Sequence, residues 1–293
     1  MKKLLLILLI FLIIFLSALC LVFAGLFSGH EMTADVKYGE GEGETMDVYL
    51  PKRGIDKENA GCVIFLHGGS WTGGDKSEER LRCAYLSNHG YIAASINYAL
   101  YSEHSEKPFT VDMVMDEIDA AIARLCEFAA ERGIRITKAA TAGYSAGAHL
   151  SLLYAYSRAD TAPVEIAFAS GMGAPADLDS SIWGSRAITI IKRLSGITIT
   201  EEELEGEYAQ ELLSSLSPVS YITKDSPPTL FMYGGKDETV SIANAESLKA
   251  GLSEAGVSYE YILQKNAGHG LINNPIKRYA YNRALVDFCD RYF

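Results

Sequence analysis

Ala139-Ala140-Thr141-Ala142-Gly143-Tyr144-Ser145-Ala146-Gly147-Ala148-His149-Leu150 joins a short apolar run to a stretch of helical character through a Gly-x-Ser-x-Gly pentapeptide. The run before the pentapeptide predicts a buried strand and residues 146–156 predict a helix, which places Ser145 on a sharp strand-to-helix turn. A serine hydroxyl is a poor nucleophile unless it is held where a base can take its proton, and such a turn lifts it above the sheet for that purpose. Glycines two residues to either side remove the Cβ atoms that would collide in so tight a turn. The pentapeptide alone is a weak signal; the strand and helix around it supply most of its weight.

Outward from this turn, short apolar runs recur: Cys62-Val63-Ile64-Phe65-Leu66, Tyr91-Ile92-Ala93-Ala94-Ser95-Ile96, Ile166-Ala167-Phe168-Ala169, Thr229-Leu230-Phe231-Met232-Tyr233 and residues 259–263. Unbroken apolar runs of this length are expected of strands buried on both faces of a parallel sheet. Residues 111–132, 242–255 and 275–293 have helical period; in the first, Val111, Met115, Ile118, Ile122, Leu125 and Phe128 share roughly one face. Strands alternating with such helices predict an α/β chain with a mostly parallel, doubly wound sheet. Thr45-Met46-Asp47-Val48-Tyr49-Leu50-Pro51 alternates like a half-exposed edge strand and stops at a proline. Residues 180–217 replace one crossover with a longer, mostly helical excursion, read as a small cap over the site or, on the plainer reading, a surface decoration. Thr200 and Glu203 within it have capping-box spacing, and the acidic run 201–207 reads as a solvated helix start.

A base able to serve Ser145 has to be a histidine, and in this kind of strand-turn-helix site the partners follow in the order Ser, Asp/Glu, His. Only His149 and His269 follow Ser145. His149 lies one helical turn on and reads as a packed or capping histidine, which leaves His269, in the loop Asn266-Ala267-Gly268-His269-Gly270. Asp237 follows the 229–233 strand through Gly234-Gly235-Lys236, at the carboxyl edge where parallel sheets build their sites, and would fix the tautomer of His269. Asp177, Asp179 and Asp225 lack that position, and Glu238 would need the backbone turned by one residue; the bland role for Asp237 is to start the next helix. His67-Gly68-Gly69-Ser70-Trp71 leaves the 62–66 strand at its carboxyl end, so the amides of Gly68, Gly69 and Ser70, with that of Ala146, could face a developing oxyanion. Trp71 and Tyr144, beside these donors, are the candidate substrate-binding side chains. An ordinary Gly-rich turn is the default for Gly-Gly alone.

His67-Gly68-Gly69-Ser70-Trp71, Gly74-Asp75-Lys76, Asn97-Tyr98-Ala99-Leu100, Gly143 to Leu150, Gly235-Lys236-Asp237-Glu238-Thr239-Val240 and Gly268-His269-Gly270 together resemble the carboxylesterases of the α/β-hydrolase superfamily. The similarity runs from about Thr45 to the C-terminus, and the hormone-sensitive-lipase-like and bifunctional feruloyl/acetyl esterase-like groups are the nearest. The resemblance implies hydrolysis of short-chain acyl esters, small or carbohydrate-linked, without metal or organic cofactor. Ala99 stands where these groups often carry arginine, and Ser70 where the lipase-like loop has its third glycine. A peptidase or amidase, a lipase, or a non-catalytic surface binding module could be built on the same residues.

The chain has 293 residues, enough for one large domain (31–293) behind a leader (1–30). Lys2 and Lys3 precede an uncharged apolar stretch at residues 4–27, long enough to span a bilayer, while Val22-Phe23-Ala24 resembles a cleavage site. Signal anchor and cleaved signal peptide are both readings of it, and both place the domain outside the cytoplasm. A net charge of −11 without a Lys/Arg cluster after the leader argues against nucleic acid as a partner. Cys62, Cys83, Cys126 and Cys289 lack metal-site spacing and read as buried thiols, with one disulfide left open.

Overall fold

The computed structural model describes residues 10–15, 17, 28–104, 109–271 and 275–293. Most of the leader lies outside them; residues 10–15 and 17 are helical, and among the described residues no helix is long and apolar enough to cross a membrane.

Eight strands form one sheet: β1 (His30–Lys37), β2 (Thr45–Pro51), β3 (Ala60–Leu66), β4 (Ile92–Ile96), β5 (Ile136–Tyr144), β6 (Glu165–Met172), β7 (Thr229–Gly234) and β8 (Tyr259–Gln264), in the order β1-β2-β4-β3-β5-β6-β7-β8. From β4 to β8 all neighbours are parallel, while β2 runs antiparallel to both β1 and β4. Successive residues of a strand face opposite sides, and β3 divides accordingly. Cys62, Ile64 and Leu66 enter one apolar cluster with α2 (Val111–Ala130) and α3 (Ala146–Ser157), while Val63 and Phe65 enter a second with α1 (Arg80–Ser87) and α8 (Pro275–Tyr292). Burial on both faces is why the central strands read as unbroken apolar runs; β8, expected to be one of them, is instead the far edge of the sheet, with Leu263 exposed and its other residues half-buried.

Two further expectations are corrected. β2 is not an edge strand: β1 hydrogen-bonds along its outer side, and all of β2 after Thr45 is buried. Asp47, which gives β2 its polar alternation, is buried because the Lys76 ammonium bridges it to Asp35 at 2.8 Å on each side. The acidic run is not a helix start either. Thr200 and Glu203 do exchange capping-box bonds, at 2.8 and 3.3 Å, but residues 201–205 form only turns, and extended Gly206 (φ −74°, ψ 152°) resets the backbone before α6 begins.

The 180–217 excursion carries α4 (Ser180–Trp183), α5 (Arg186–Ser195) and α6 (Glu207–Leu216) between β6 and β7; α7 (Ala243–Glu254) precedes β8. Cys62, Cys83, Cys126 and Cys289 are free thiols.

The sheet register aligns the chain ends that matter. Leu66 of β3 sits beside Gly143 of β5, and Tyr144 beside Met172 of β6, so the loop after β3 and the turn after β5 leave the same edge side by side. A Cβ on Gly147 would lie 2.1 Å from the Leu66 carbonyl oxygen and 2.4 Å from that of His67, both backbone atoms that cannot move aside. Gly147→Ala is therefore expected to destabilise the protein by about 3 kcal/mol or more. Gly73→Ala, where nothing lies within 4 Å of the new carbon, should stay within about 0.5 kcal/mol of the parent. Chemical denaturation of the two variants checks this, and equal stabilities would contradict it.

Candidate active site

Ser145 has φ 53° and ψ −120°, a backbone conformation that L-residues avoid. Its N–H donates to the Met172 carbonyl at 2.8 Å, and α3 begins at the following residue. The hydroxyl is thereby aimed out of the sheet edge toward the loop after β8. There His269 Nε2 lies 2.9 Å from Ser145 Oγ, and His269 Nδ1 lies 2.7 Å from Asp237 Oδ2. A carboxylate only accepts, so Nδ1 carries the proton and Nε2 presents a lone pair to the serine hydroxyl.

The Asp237 carboxylate is wholly buried and fully engaged, since its Oδ1 accepts from the amides of Thr239 and Val240 at 2.9 Å each. One oxygen organises the turn and the other faces the histidine, while the plainer reading fails, since the next helix starts at Ala243 with Ile242 as its N-cap and not at this aspartate. The competing carboxylates lie elsewhere. Asp177 and Asp179 border a separate polar pocket, and Asp225 pairs with Lys224. Glu238 is exposed. Gly173, at φ 57°, was not legible as a site residue; a Cβ there would press on His269 Cε1 at 3.3 Å and approach Asp237 Oδ2 at 3.7 Å. Tyr144 donates its hydroxyl to the His269 carbonyl at 2.6 Å. Burial pushes that phenol up to about 12, so it remains a donor. It braces the histidine loop and is not among the residues lining the cleft.

Gly69, Ser70 and Trp71 follow one another at φ 120°, 54° and 62°. Thr72 and Gly73 amides both bond the Gly69 carbonyl, at 3.0 and 3.1 Å, and Tyr101 N–H bonds that of Trp71 at 2.7 Å, which points the loop's carbonyls away. The amides of Gly69 and Ser70 donate to no partner among the described residues, and Ala146 contributes a free helix N-terminal N–H. Converging unpaired amides of this kind suit an anion. The Gly68 amide belongs to the same loop, and a Cβ on Gly68 would meet the Tyr144 ring at 3.0 Å.

Three further contacts hold that loop. The His67 ring donates from Nδ1 to the Gly68 carbonyl at 2.7 Å, stacks on Tyr98 at 4.3 Å, and burial lowers its basicity. Lys76 N–H bonds Asn97 Oδ1 at 2.6 Å, and Asn97 in turn donates to Asp75, whose carboxyl is held at about 2 chiefly by bonds from Ser77. Trp71 donates its indole N–H to His149 Nδ1 at 3.3 Å, while His149 Nε2–H donates to the Leu216 carbonyl at 2.8 Å. His149 therefore clips the loop after β3 and the end of the cap to α3.

Above Ser145 lies a cleft lined by Ser70, Trp71 and Ala146 on the sheet side, Pro175, Thr239 and Val240 at the flanks, and Trp183, Arg186, Thr189, Ile190 and Arg193 from the cap. The cap residues that line the cleft carry no motif in the sequence.

The BD-FAE family model matches residues 46–252. Among curated proteins, esterase LipQ of Mycobacterium tuberculosis is 27% identical over 81% of this chain and 56% of its own length. A probable isoprenylcysteine alpha-carbonyl methylesterase of Arabidopsis thaliana is 26% identical over 80% and 50%. The chain thus spans little more than half the length of such relatives. Among solved structures, a truncated carbohydrate esterase from gut microbiota superposes with a TM-score of 0.73 at 20% identity, covering 89% of this chain and 96% of the other. Esterase B of Lactobacillus rhamnosis does so at 0.70 and 19%, covering 89% and 86%. Both likenesses are to the α/β-hydrolase fold.

Protonation of His149 would turn an N–H toward the indole N–H that now donates to it. Burial accordingly lowers its pKa to about 4, from 6.5. Between those values the unfolded chain binds the proton and the native chain does not, so stability falls as pH drops from 6.5 and levels off near 4. The distance between those two values corresponds to about 3 kcal/mol. Denaturation at pH 7 and pH 4 should give a smaller acid loss in His149→Gln than in the parent; equal losses would count against it.

Proposed function

As the chain belongs to the BD-FAE family, with the α/β-hydrolase fold, we propose that it is a serine carboxylesterase that cleaves short-chain acyl esters through an acyl-enzyme. The observation that carries this reading is the hydrogen-bond chain from Ser145 through His269 to the buried Asp237, set beside the unpaired amides of Gly69, Ser70 and Ala146.

On this reading Ser145 Oγ attacks the ester carbonyl carbon as its proton passes to His269 Nε2, and the new imidazolium is stabilised by Asp237. The carbonyl oxygen, now negative, turns toward the amides of the β3 loop and the N-terminus of α3. Collapse expels the alcohol, which takes the proton from His269. Water, deprotonated by the same imidazole, then attacks the acyl-serine and releases the acid. The amides need no correct side chain for this, which is why Ser70 in place of a glycine leaves the hole intact.

The domain is further proposed to work outside the cytoplasm, tethered or released, since Lys2 and Lys3 ahead of the apolar stretch 4–27 keep that end inside. Names such as carbohydrate esterase among the structural neighbours are consistent with acetylated or feruloylated carbohydrate as the substrate.

Ser145→Ala should lower kcat/KM on p-nitrophenyl acetate by about 10⁴-fold or more, and the parent alone should bind a fluorophosphonate probe at Ser145. Asp237→Asn should cost on the order of 10³-fold through the wrong histidine tautomer. Full activity in either folded variant would reject the assignment. A matched anilide, cleaved as fast as the ester, would move the reading to an amidase.

A further inference from the structure

The cap helix α5 puts its cleft-facing side chains on one strip. Arg186, Thr189, Ile190 and Arg193 recur at helical spacing, so they fall along one face, with the two arginines two turns and roughly 10 Å apart along the axis. Ala187, Ile191 and Leu194 on the adjoining face are buried, as is Ile190, and fix the helix in that orientation. The placement of the arginines follows from how the cap packs.

Neither guanidinium meets a carboxylate among the described residues. Arg186 donates to the Thr239 carbonyl at 3.0 Å and lies over the Trp183 ring at 5.0 Å. Arg193 makes one long bond, 3.4 Å, to the Ser70 carbonyl. Lys192, beside it in sequence, is paired with Glu103, whose carboxylate also feels Arg193 at longer range. Each arginine has five N–H donors, and a single bond to a neutral carbonyl leaves most of that planar fork free.

The rest of the cleft wall is uncharged. A chain of net charge −11 would repel an anion at long range, yet it sets two arginines, with no carboxylate in salt-bridge reach among the described residues, on the wall of the cleft that Ser145 lines. A wall that had only to accommodate a neutral acyl chain would gain nothing from them, whereas a guanidinium fork fits a carboxylate or a sulfate. We infer that the ester taken by this cleft carries an anionic group, carboxylate or sulfate, bound by Arg186 and Arg193. This inference rests on the esterase reading above and narrows it to acidic esters.

Two matched pairs test it on the purified full-length protein in detergent. 4-Acetoxybenzoate against 4-acetoxybenzamide puts the charge on the alcohol side; mono-p-nitrophenyl adipate against p-nitrophenyl hexanoate puts it on the acyl side. Each kcat/KM is divided by that ester's rate with hydroxide. One pair should favour the anion by about tenfold or more, the worth of a charged hydrogen bond, and which pair does so tells acyl from alcohol. The preference should shrink between 0.05 and 0.5 M NaCl, and should fall to near one in the double variant Arg186→Gln/Arg193→Gln. A purely structural latch would change both members of a pair alike and leave their ratio untouched. Cleavage of the neutral esters with no anionic preference in either pair, or a preference that survives the double substitution, overturns the inference alone. Failure to cleave any of the four overturns the esterase reading and the inference with it.

Discussion

Everything in the site depends on holding Ser145 in a conformation that its own side chain disfavours. A non-glycine residue at φ 53° and ψ −120° costs on the order of 1–3 kcal/mol, so the turn would relax if its surroundings allowed. They do not. The Ser145 amide is tied to Met172, and Gly143 and Gly147 approach each other and the backbone of Leu66 and His67 so closely that no Cβ would fit at either glycine. The strain sits on a parallel strand in the middle of the sheet, where both faces are packed and the cost is spread over many contacts. The same tight approach brings the loop after β3 against the nucleophile, so the turn that exposes the hydroxyl also places the amides beside it.

The remaining groups are placed by repetition of one geometric rule. β3, β5, β7 and β8 are parallel, and the loops at their carboxyl ends supply the amide loop, the serine, the aspartate and the histidine in turn. Parallel register makes these ends coincide without any direct contact between the loops being needed first. Direct contacts then refine the fit. The Gly234 and Gly235 backbone passes so close to the carbonyls of Lys265, Ala267 and Gly268 that no Cβ would fit, which locks the aspartate loop to the histidine loop. Tyr144 adds a hydrogen bond from the serine turn to His269 itself. His149, uncharged and buried, closes the circuit by joining the amide loop to the cap.

How much of this the sequence disclosed follows from the range of the interactions. Core strands such as β3 were legible because burial on both faces leaves an unbroken apolar run, and α2 because its buried positions keep helical period. β2 was misread as an edge since Asp47 looks exposed in sequence; its partner Lys76 lies 29 positions on, and the covering strand β1 has the mixed polarity of a true edge. α1 went unread for a like reason, as its buried Arg82 is matched by buried Glu79 one turn before. At the site, the motif residues stood out because backbone geometry restricts them to a few types. Gly173 did not, since its constraint is a pair of side chains from two distant loops.

That division also bears on where specificity resides. The groups assigned to bond-making act through a serine, an imidazole and backbone amides, none of which distinguishes one ester from another. Discrimination falls to the side chains of the cleft wall, and most of those on the sheet side, Ser70, Trp71 and Ala146, are fixed by the demands of the loop and the turn. α5 is free of those demands. One face of it is committed to packing, and the side chains that line the cleft lie beside that face, held by bonds to the Thr239 and Ser70 carbonyls and not by the serine turn or the histidine loop. A helix placed by its apolar face can carry different side chains toward the cleft while Ser145, His269 and Asp237 keep their geometry. In this chain, that cleft-lining strip carries arginine at both ends.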